Sequence, residues 1–182
     1  IGCGDLNLLS EINKDNPPKN YYAFDINKGN ILHGINFCQK NQIDISNLIY
    51  ETGGSFEFEK IKDNEIDFAF SHSLCCHLTI NSLSLLLKNL RPKMRNGSIY
   101  FTSFIFDNRD EKYLNEKIKI NWDLTNLFNK KKYKINSYFQ KDPYHYLPST
   151  IKKIATDNGW DFLGIEEHGH ELQKVALLSP KF

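Results

Sequence analysis

A glycine turn at the start of the chain, Ile1-Gly2-Cys3-Gly4-Asp5, constrains the fold more than any other stretch. Glycine adopts positive φ angles and lets the backbone approach a ligand closely, so an apolar residue followed by Gly-x-Gly predicts a buried strand that turns into a helix. Asp25 follows a second apolar run, and a carboxylate about 20 residues after such a turn can accept hydrogen bonds from ribose hydroxyls. Gly2, Cys3, Gly4 and Asp25 therefore predict a site for a nucleoside cofactor.

The residues around this turn favour a cofactor without phosphate groups. A dinucleotide fingerprint has a third glycine where this chain has Asn7, and Asp5 would bring a negative charge towards a pyrophosphate. S-adenosylmethionine (SAM) carries an adenosine, a cationic sulfonium and an amino acid. It has no phosphate group, so it is compatible with Asn7 in place of the third glycine and with the charge of Asp5. An oxidoreductase that binds NAD(P) remains an alternative, as does a non-catalytic module that binds a nucleoside cofactor.

Apolar clusters with strand-like and helix-like spacing alternate along the chain, which is typical of a mostly parallel sheet covered on both faces. Thr79 is predicted to cap one helix and Gly159 to end another. The predicted helices cover residues 6–12, 31–38, 80–90 and 148–158. The predicted strands cover 21–25, 48–50, 68–70 and 98–104, with a closing pair at 161–165 and 175–178.

The first residue, Ile1, is expected to be the last residue of a central strand. The chain opens there without a methionine. We therefore expect residues 1–182 to form one domain that is N-terminally incomplete, with its first strand largely missing. Loss of a central strand would expose the edges of its two neighbours.

The order of these motifs resembles the class I SAM-dependent methyltransferases nearly from end to end. The glycine turn and Asp25 resemble that family's glycine motif and its acidic residue after the second strand. Further along, Ile66–Ser71 resembles the family's fourth strand. His77-Leu78 resembles the end of its "THL" loop, with Cys76 in place of the threonine. Leu90-Arg91-Pro92, with Gly97, resembles its "LRPGG" turn into the fifth strand. The stretch Pro143–Tyr146, with Gly159-Trp160, is similar to a subgroup linked to glycan or lipid modification.

The resemblance implies an α/β fold with a doubly wound, Rossmann-like sheet and a C-terminal antiparallel hairpin. It also implies SAM as cofactor and methyl transfer to an acceptor such as a saccharide or another small-molecule hydroxyl. Within the cofactor site, Ile26 would pack on the adenine or ribose, and Ser71 would lie near the methionine part. Family members carry an acidic residue after the third strand, where this chain has Gly53-Gly54-Ser55-Phe56, so Ser55 or the Phe56 backbone would serve, with Glu57 as a fallback.

Three histidines are candidate bases for an acceptor hydroxyl, because imidazole titrates near neutrality. His72 and His77 follow the fourth predicted strand, where open α/β sheets bind ligands. His145 lies between two tyrosines just before the late helix. Packing or helix capping is the alternative for the first two, and a structural corner is the alternative for His145.

The segment 105–141 is predicted to be a lid that recognises the acceptor, because long aromatic-rich connections are often functional. The alternative is a helical excursion whose aromatic side chains pack on the sheet. Its basic run, Lys130–Lys134, is either a solvated face or a site for an acidic acceptor or membrane headgroups. The pair His168 and His170 suggests a metal site. No suitably spaced carboxylate completes such a site, so no metal is predicted.

Composition excludes several other classes of protein. A net charge of +1 disfavours a dedicated nucleic-acid surface. The four cysteines lack metal-ligand spacing, so we expect reduced thiols and a cytoplasmic location. No apolar run approaches about 18 residues, so no integral membrane segment is predicted. The sequence does not indicate the oligomeric state.

Overall fold

Strands and helices alternate through the first half of the chain, as the apolar spacing predicts. The computed structural model describes residues 1–15, 17–106, 143–167 and 173–182. Within these ranges the helices are α1 (Asn7–Asp15), α2 (Lys28–Lys40), α3 (Ile80–Leu90) and α4 (Pro148–Asp157), and short 3-10 turns cover Cys75–His77 and Arg91–Lys93. The strands are β1 (Tyr21–Asp25), β2 (Leu48–Thr52), β3 (Ile66–Ser71), β4 (Met94–Phe106), β5 (His145–Tyr146), β6 (Trp160–Glu167) and β7 (Gln173–Pro180).

The strands pair mostly in parallel and end in an antiparallel hairpin. β1 pairs with β2, and β3 pairs with β4, both in parallel. β7 runs antiparallel to both β4 and β6, and the short β5 continues beside the end of β4. The order along the larger sheet is β3, β4, β7, β6. This arrangement confirms the predicted fold class.

The two faces of β1 pack into different hydrophobic cores, because successive side chains of a strand point to opposite faces. Ala23 belongs to a small core that also contains Leu9 of α1 and Ile31 of α2. Its neighbour Phe24 belongs to the larger core, which contains Leu86 of α3 and Ile151 of α4. β1 therefore separates two hydrophobic cores.

Two predicted helix ends are confirmed by their hydrogen bonds and backbone angles. The Ser82 N–H donates to the Thr79 side chain at 3.2 Å, so Thr79 caps α3. Gly159 follows α4 with a φ of 78°, a conformation in which glycine is favoured. Both helices pack into the larger core.

β1 and β3 line opposite sides of a cavity of about 400 Å³. At one end of the cavity, the Ile1 amino group donates to the Phe70 carbonyl at 2.7 Å, and the Cys3 N–H donates to the Phe24 carbonyl at 3.1 Å. At the other end, the Tyr22 hydroxyl hydrogen-bonds to Glu65 just before β3. The two strands therefore run in the same direction, with space between them for a further parallel strand.

Some sequence predictions concern residues beyond the described ranges. Ile105 and Phe106 are the last residues of β4, which shortens the predicted lid at its start. The rest of the lid with Lys130–Lys134, and also His168 and His170, lies outside the described residues. Among the helices that are described, none is long and apolar enough to cross a bilayer.

Extending the chain before Ile1 with the segment Val-Ile-Val-Leu-Val should stabilise the fold. Its side chains would fill the cavity, and its main chain would pair with β1 and β3. We expect the melting temperature to rise by about 5 °C, or roughly 2 kcal/mol for a chain of this size, as measured by calorimetry. A Gly-Ser extension of equal length is the control, and equal melting temperatures for the two variants would contradict the prediction.

Candidate functional site

The glycine turn and Asp25 are joined by direct hydrogen bonds. The Gly4 N–H donates to Oδ2 of Asp25 at 2.9 Å, and the Asn27 N–H donates to Oδ1 at 2.8 Å. The Asp25 side chain is otherwise largely buried, with 9% of the residue exposed. A carboxylate has about four lone-pair positions, so these two backbone bonds leave acceptor capacity for hydroxyl groups of a ligand.

The two glycines of the turn have different roles, although both have positive φ angles, 62° at Gly2 and 52° at Gly4. A Cβ placed on Gly2 would lie 3.1 Å from the Leu74 side chain, so Gly2 allows close packing against the loop after β3. A Cβ on Gly4 would meet nothing within 4 Å. Gly4 therefore faces open space beside Asp25, where a ligand can approach the backbone.

Burial makes Cys3 a neutral part of this turn. Loss of solvent around the thiol raises the pKa of Cys3 to about 11. The thiol consequently stays protonated near neutral pH and lacks the thiolate character of a nucleophile. Cys3 contributes its backbone and a neutral side chain to the site.

Gly34 in α2 supports the glycine turn, a role that the sequence reasoning missed. A Cβ at Gly34 would lie 2.2 Å from the carbonyl oxygen of Asp5. The helix therefore packs directly on the turn, next to the fully buried Leu6. An isolated glycine inside helical spacing often has such a packing reason, and that signal was present between Ile31 and Ile35.

The chain after β1 and the chain after β2 meet beside an exposed apolar side chain. Ile26, immediately after Asp25, is 77% exposed. A Cβ on Gly54 would lie 3.4 Å from Cδ1 of Ile26, and the Gly53 N–H donates to the Asp25 carbonyl at 3.4 Å. Ile26 thus presents an apolar surface at the edge of the site.

Ser55 and Phe56 differ in how much of each residue a ligand can reach. Ser55 is exposed, whereas the Phe56 side chain is buried in the larger core. The Phe56 ring centroid lies 5.6 Å from that of Phe24. Only the main chain of Phe56 can therefore contribute to a ligand site.

The Ser71 side chain is directed into the fold. Its hydroxyl lies 2.8 Å from the Tyr100 hydroxyl and donates to Oγ1 of Thr102 at 2.8 Å. Thr102 in turn donates to the Cys75 sulfur at 3.0 Å, and burial raises the pKa of the Cys75 thiol. Ser71 is 1% exposed, so contact with a ligand is left to its main chain.

His72 follows β3 directly and is exposed. Its ring stacks on Phe70, with 6.5 Å between the centroids and 9° between the planes. Its Nδ1 lies 3.2 Å from the Ser73 hydroxyl. These contacts give the imidazole a defined orientation at the carboxyl end of β3.

The segments that carry His77 and His145 pack against each other. The Tyr144 N–H donates to the Cys76 carbonyl at 2.6 Å, and the Tyr146 hydroxyl donates to the carbonyl of the residue after His77. Both histidines are exposed. All three candidate histidines thus follow, or lie beside, the carboxyl ends of β3 and β4, where ligands bind in open α/β sheets.

The candidate side chains form two groups. A buried carboxylate, an exposed aliphatic side chain and an open backbone turn lie around Asp25, whereas the three imidazoles lie at the carboxyl ends of β3 and β4. A carboxylate with spare acceptor capacity can bind hydroxyl groups, and an imidazole can accept a proton. Within the described part of the chain, no three His, Cys, Asp or Glu residues are grouped so that they could hold a metal ion.

Comparison with solved structures identifies the fold. No protein-family model matches the chain, and no curated protein matches it. A SAM-dependent methyltransferase from Methanosarcina mazei is 14% identical with a TM-score of 0.68, covering 100% of this chain and 90% of the other. Magnesium protoporphyrin IX methyltransferase from Synechocystis PCC 6803, with bound SAH, is 14% identical with a TM-score of 0.65, covering 99% and 72%.

The same fold also occurs with other chemistry. A structure described as a pericyclic reaction enzyme is 10% identical with a TM-score of 0.64, and the match covers 100% of this chain and 42% of the other. At such identities a likeness establishes the fold alone. The chain therefore has the Rossmann-like fold of class I SAM-dependent methyltransferases, and its activity has to be argued from the site.

Replacing Gly34 with alanine should disturb the glycine turn. The new Cβ would clash with the Asp5 carbonyl, and we expect a loss of about 1–3 kcal/mol in the free energy of unfolding, measured with urea. Gly29→Ala in the same helix is the matched control, because its Cβ would meet only the movable Asn27 side chain, at 3.1 Å. Equal stability of the two variants would show that α2 does not press on the turn.

Proposed function

We propose that this protein transfers a methyl group from SAM to a small-molecule acceptor. The observation that carries the proposal is the contact between the glycine turn and Asp25, which leaves open space beside Gly4. Methyltransferases from Methanosarcina and Synechocystis have the same fold, and the Synechocystis structure contains SAH, the product left by methyl donation.

The proposal assigns described residues to each part of the cofactor. Asp25 would accept hydrogen bonds from the ribose hydroxyls, and the exposed Ile26 would pack on the adenine or ribose. Ser55 and the Phe56 main chain would face the adenine edge. The backbone of Gly2–Gly4 would lie along the methionine part, with the Ser71 main chain opposite.

Charge favours SAM over a dinucleotide at this turn. Asp5 is exposed on the turn. Its carboxylate would repel a pyrophosphate and attract a cationic sulfonium. NAD(P) is therefore the weaker candidate for this site.

Bound SAM would supply a methyl group on a positively charged sulfur. The protein then has to orient the acceptor, exclude water and, for a hydroxyl acceptor, remove a proton. His72, His77 and His145 are the candidate bases, because all three are exposed beside the carboxyl ends of β3 and β4. A carboxylate acceptor would need no base.

The class of acceptor is the least constrained part of the proposal. The resemblance of Pro143–Tyr146 to a glycan- or lipid-modifying subgroup suggests a saccharide hydroxyl. The descriptions of the similar structures reported above name no glycan, so this suggestion rests on sequence alone. A small-molecule hydroxyl is the broader proposal.

Asp25→Asn should weaken SAM binding at least tenfold, which corresponds to about 1.4 kcal/mol, as measured by isothermal titration calorimetry. The new NH₂ group would face one of the two backbone N–H donors, and the ribose would lose an acceptor. Asp44→Asn is the matched control, because Asp44 also accepts a backbone N–H at 2.8 Å but lies before β2.

Three outcomes would contradict the proposed function or the role of Asp25 in it. SAM affinity of Asp25→Asn within threefold of the unsubstituted protein, with both proteins folded by circular dichroism, would remove Asp25 from the cofactor site. Binding of NADH without binding of SAM would favour the oxidoreductase. Tight SAM binding with no methyl transfer across a panel of hydroxyl and carboxylate acceptors would favour a non-catalytic module.

A further inference from the structure

Gln173, the first residue of β7, reaches the loop that follows β3. Its side chain is buried, with 8% of the residue exposed. Oε1 accepts a hydrogen bond from the Ser103 hydroxyl at 2.7 Å, and Nε2 donates to the Ser73 hydroxyl at 2.8 Å. A buried amide is costly unless both of its ends are hydrogen-bonded, so these contacts define how the side chain is held.

The hydrogen bonds around Ser103 assign the two ends of the Gln173 amide. The Ser73 N–H donates to Oγ of Ser103 at 2.8 Å. The Ser103 hydroxyl therefore directs its own hydrogen to Gln173, and the amide oxygen faces it. The amide nitrogen is left to donate to Ser73.

Ser73 adopts a backbone conformation that needs support. Its φ is 54°, in the left-handed region that residues with a Cβ rarely occupy. The bond from its N–H to Ser103 and the bond from Gln173 to its hydroxyl both hold this conformation. The same turn sets the direction in which the neighbouring His72 leaves β3.

The Ser73 hydroxyl connects the Gln173 side chain to the His72 ring by hydrogen bonds. It accepts a hydrogen from Gln173 Nε2, and its own hydrogen can donate to Oε1 of Gln173 at 3.2 Å. When the hydroxyl hydrogen goes to Oε1 of Gln173, the second lone pair of the Ser73 oxygen accepts from His72 Nδ1 at 3.2 Å, and Nδ1 then carries the ring hydrogen. The lone pair of the neutral ring consequently lies on Nε2.

We infer that Gln173 is a positioning residue that, through Ser73, holds His72 in the tautomer with its hydrogen on Nδ1. The role of that tautomer rests on the proposed function. The acceptor oxygen bonds to the methyl carbon as the carbon–sulfur bond breaks, with its electron pair left on sulfur. The hydroxyl proton moves to Nε2 of His72, which needs the lone pair there.

The test measures the tautomer of His72 by two-bond ¹⁵N–¹H NMR, with the signal assigned by its loss in His72→Asn. We expect the Nδ1–H form to predominate in the unsubstituted protein. Gln173→Leu keeps the approximate shape but removes both hydrogen-bonding groups, so the Nε2–H form should increase at least threefold. Gln39→Leu, at an exposed position on α2, is the control and should change nothing.

A second variant separates positioning from a general effect on folding. In Gln173→Glu the carboxylate accepts from both the Ser103 and Ser73 hydroxyls, which still leaves a Ser73 lone pair for Nδ1–H. We expect this variant to retain the tautomer of the unsubstituted protein. Predominance of the Nε2–H form in the unsubstituted protein, or an unchanged tautomer in a folded Gln173→Leu variant, would overturn the inference.

Calorimetry with SAM keeps the inference distinct from the proposed function. Gln173 is not among the proposed cofactor residues, so Gln173→Leu should bind SAM within threefold of the unsubstituted protein. Absence of SAM binding in the unsubstituted protein, together with the expected tautomers, would overturn the methyltransferase proposal while supporting the positioning role. A tenfold loss of SAM affinity with an unchanged tautomer would instead assign Gln173 to cofactor binding and overturn its positioning role.

Discussion

The hydrogen bonds of the Asp25 carboxylate hold the candidate site together. One oxygen accepts from the glycine turn and the other from the residue before α2, so one side chain joins three consecutive parts of the fold. The carboxylate has to satisfy two backbone N–H groups and still accept from a ligand. Structural and binding demands therefore coincide at Asp25, and a substitution there affects both.

The site lies where two halves of the protein meet. One half contains β1 and β2 with α1 and α2, and the other contains the larger sheet with α3 and α4. Residues Ile1–Cys3 contact both halves through main-chain hydrogen bonds to β1 and β3. A ligand bound along this turn would contact the first half through Asp25 and the second through the end of β3.

Local sequence patterns predicted the elements, and they predicted that the glycine turn and Asp25 belong to one site, because both depend on short-range spacing. The direct hydrogen bond between Gly4 and Asp25 was not predicted. Apolar periodicity located the four described helices and every described strand except the short β5, and the predicted helix ends at Thr79 and Gly159 are confirmed. β4 is longer than predicted, since Met94–Gly97 lacks the apolar run seen after Ser98. The rest of the site depends on tertiary contacts. The sequence pattern of a serine at the end of a strand is the same whether its hydroxyl faces a ligand or is buried, as the hydroxyl of Ser71 is.

The large sequence separation between Gln173 and its partner Ser73 explains why the role of Gln173 was not predicted. It contacts a residue 100 positions away, and no local pattern encodes such a pairing. Gly34 was predictable only in part. Its position within the helical spacing of α2 is visible in the sequence, but its contact with the Asp5 carbonyl is visible only in the structure. Sequence reasoning thus predicted candidate side chains for the site, whereas the residues that orient them became visible only in the structure.

The cavity between β1 and β3 has a consequence for small molecules that bind this chain. A compound in it would contact the strand that leads to Asp25 and the strand that leads to His72 at the same time. Binding there should therefore make the described fold more resistant to heat.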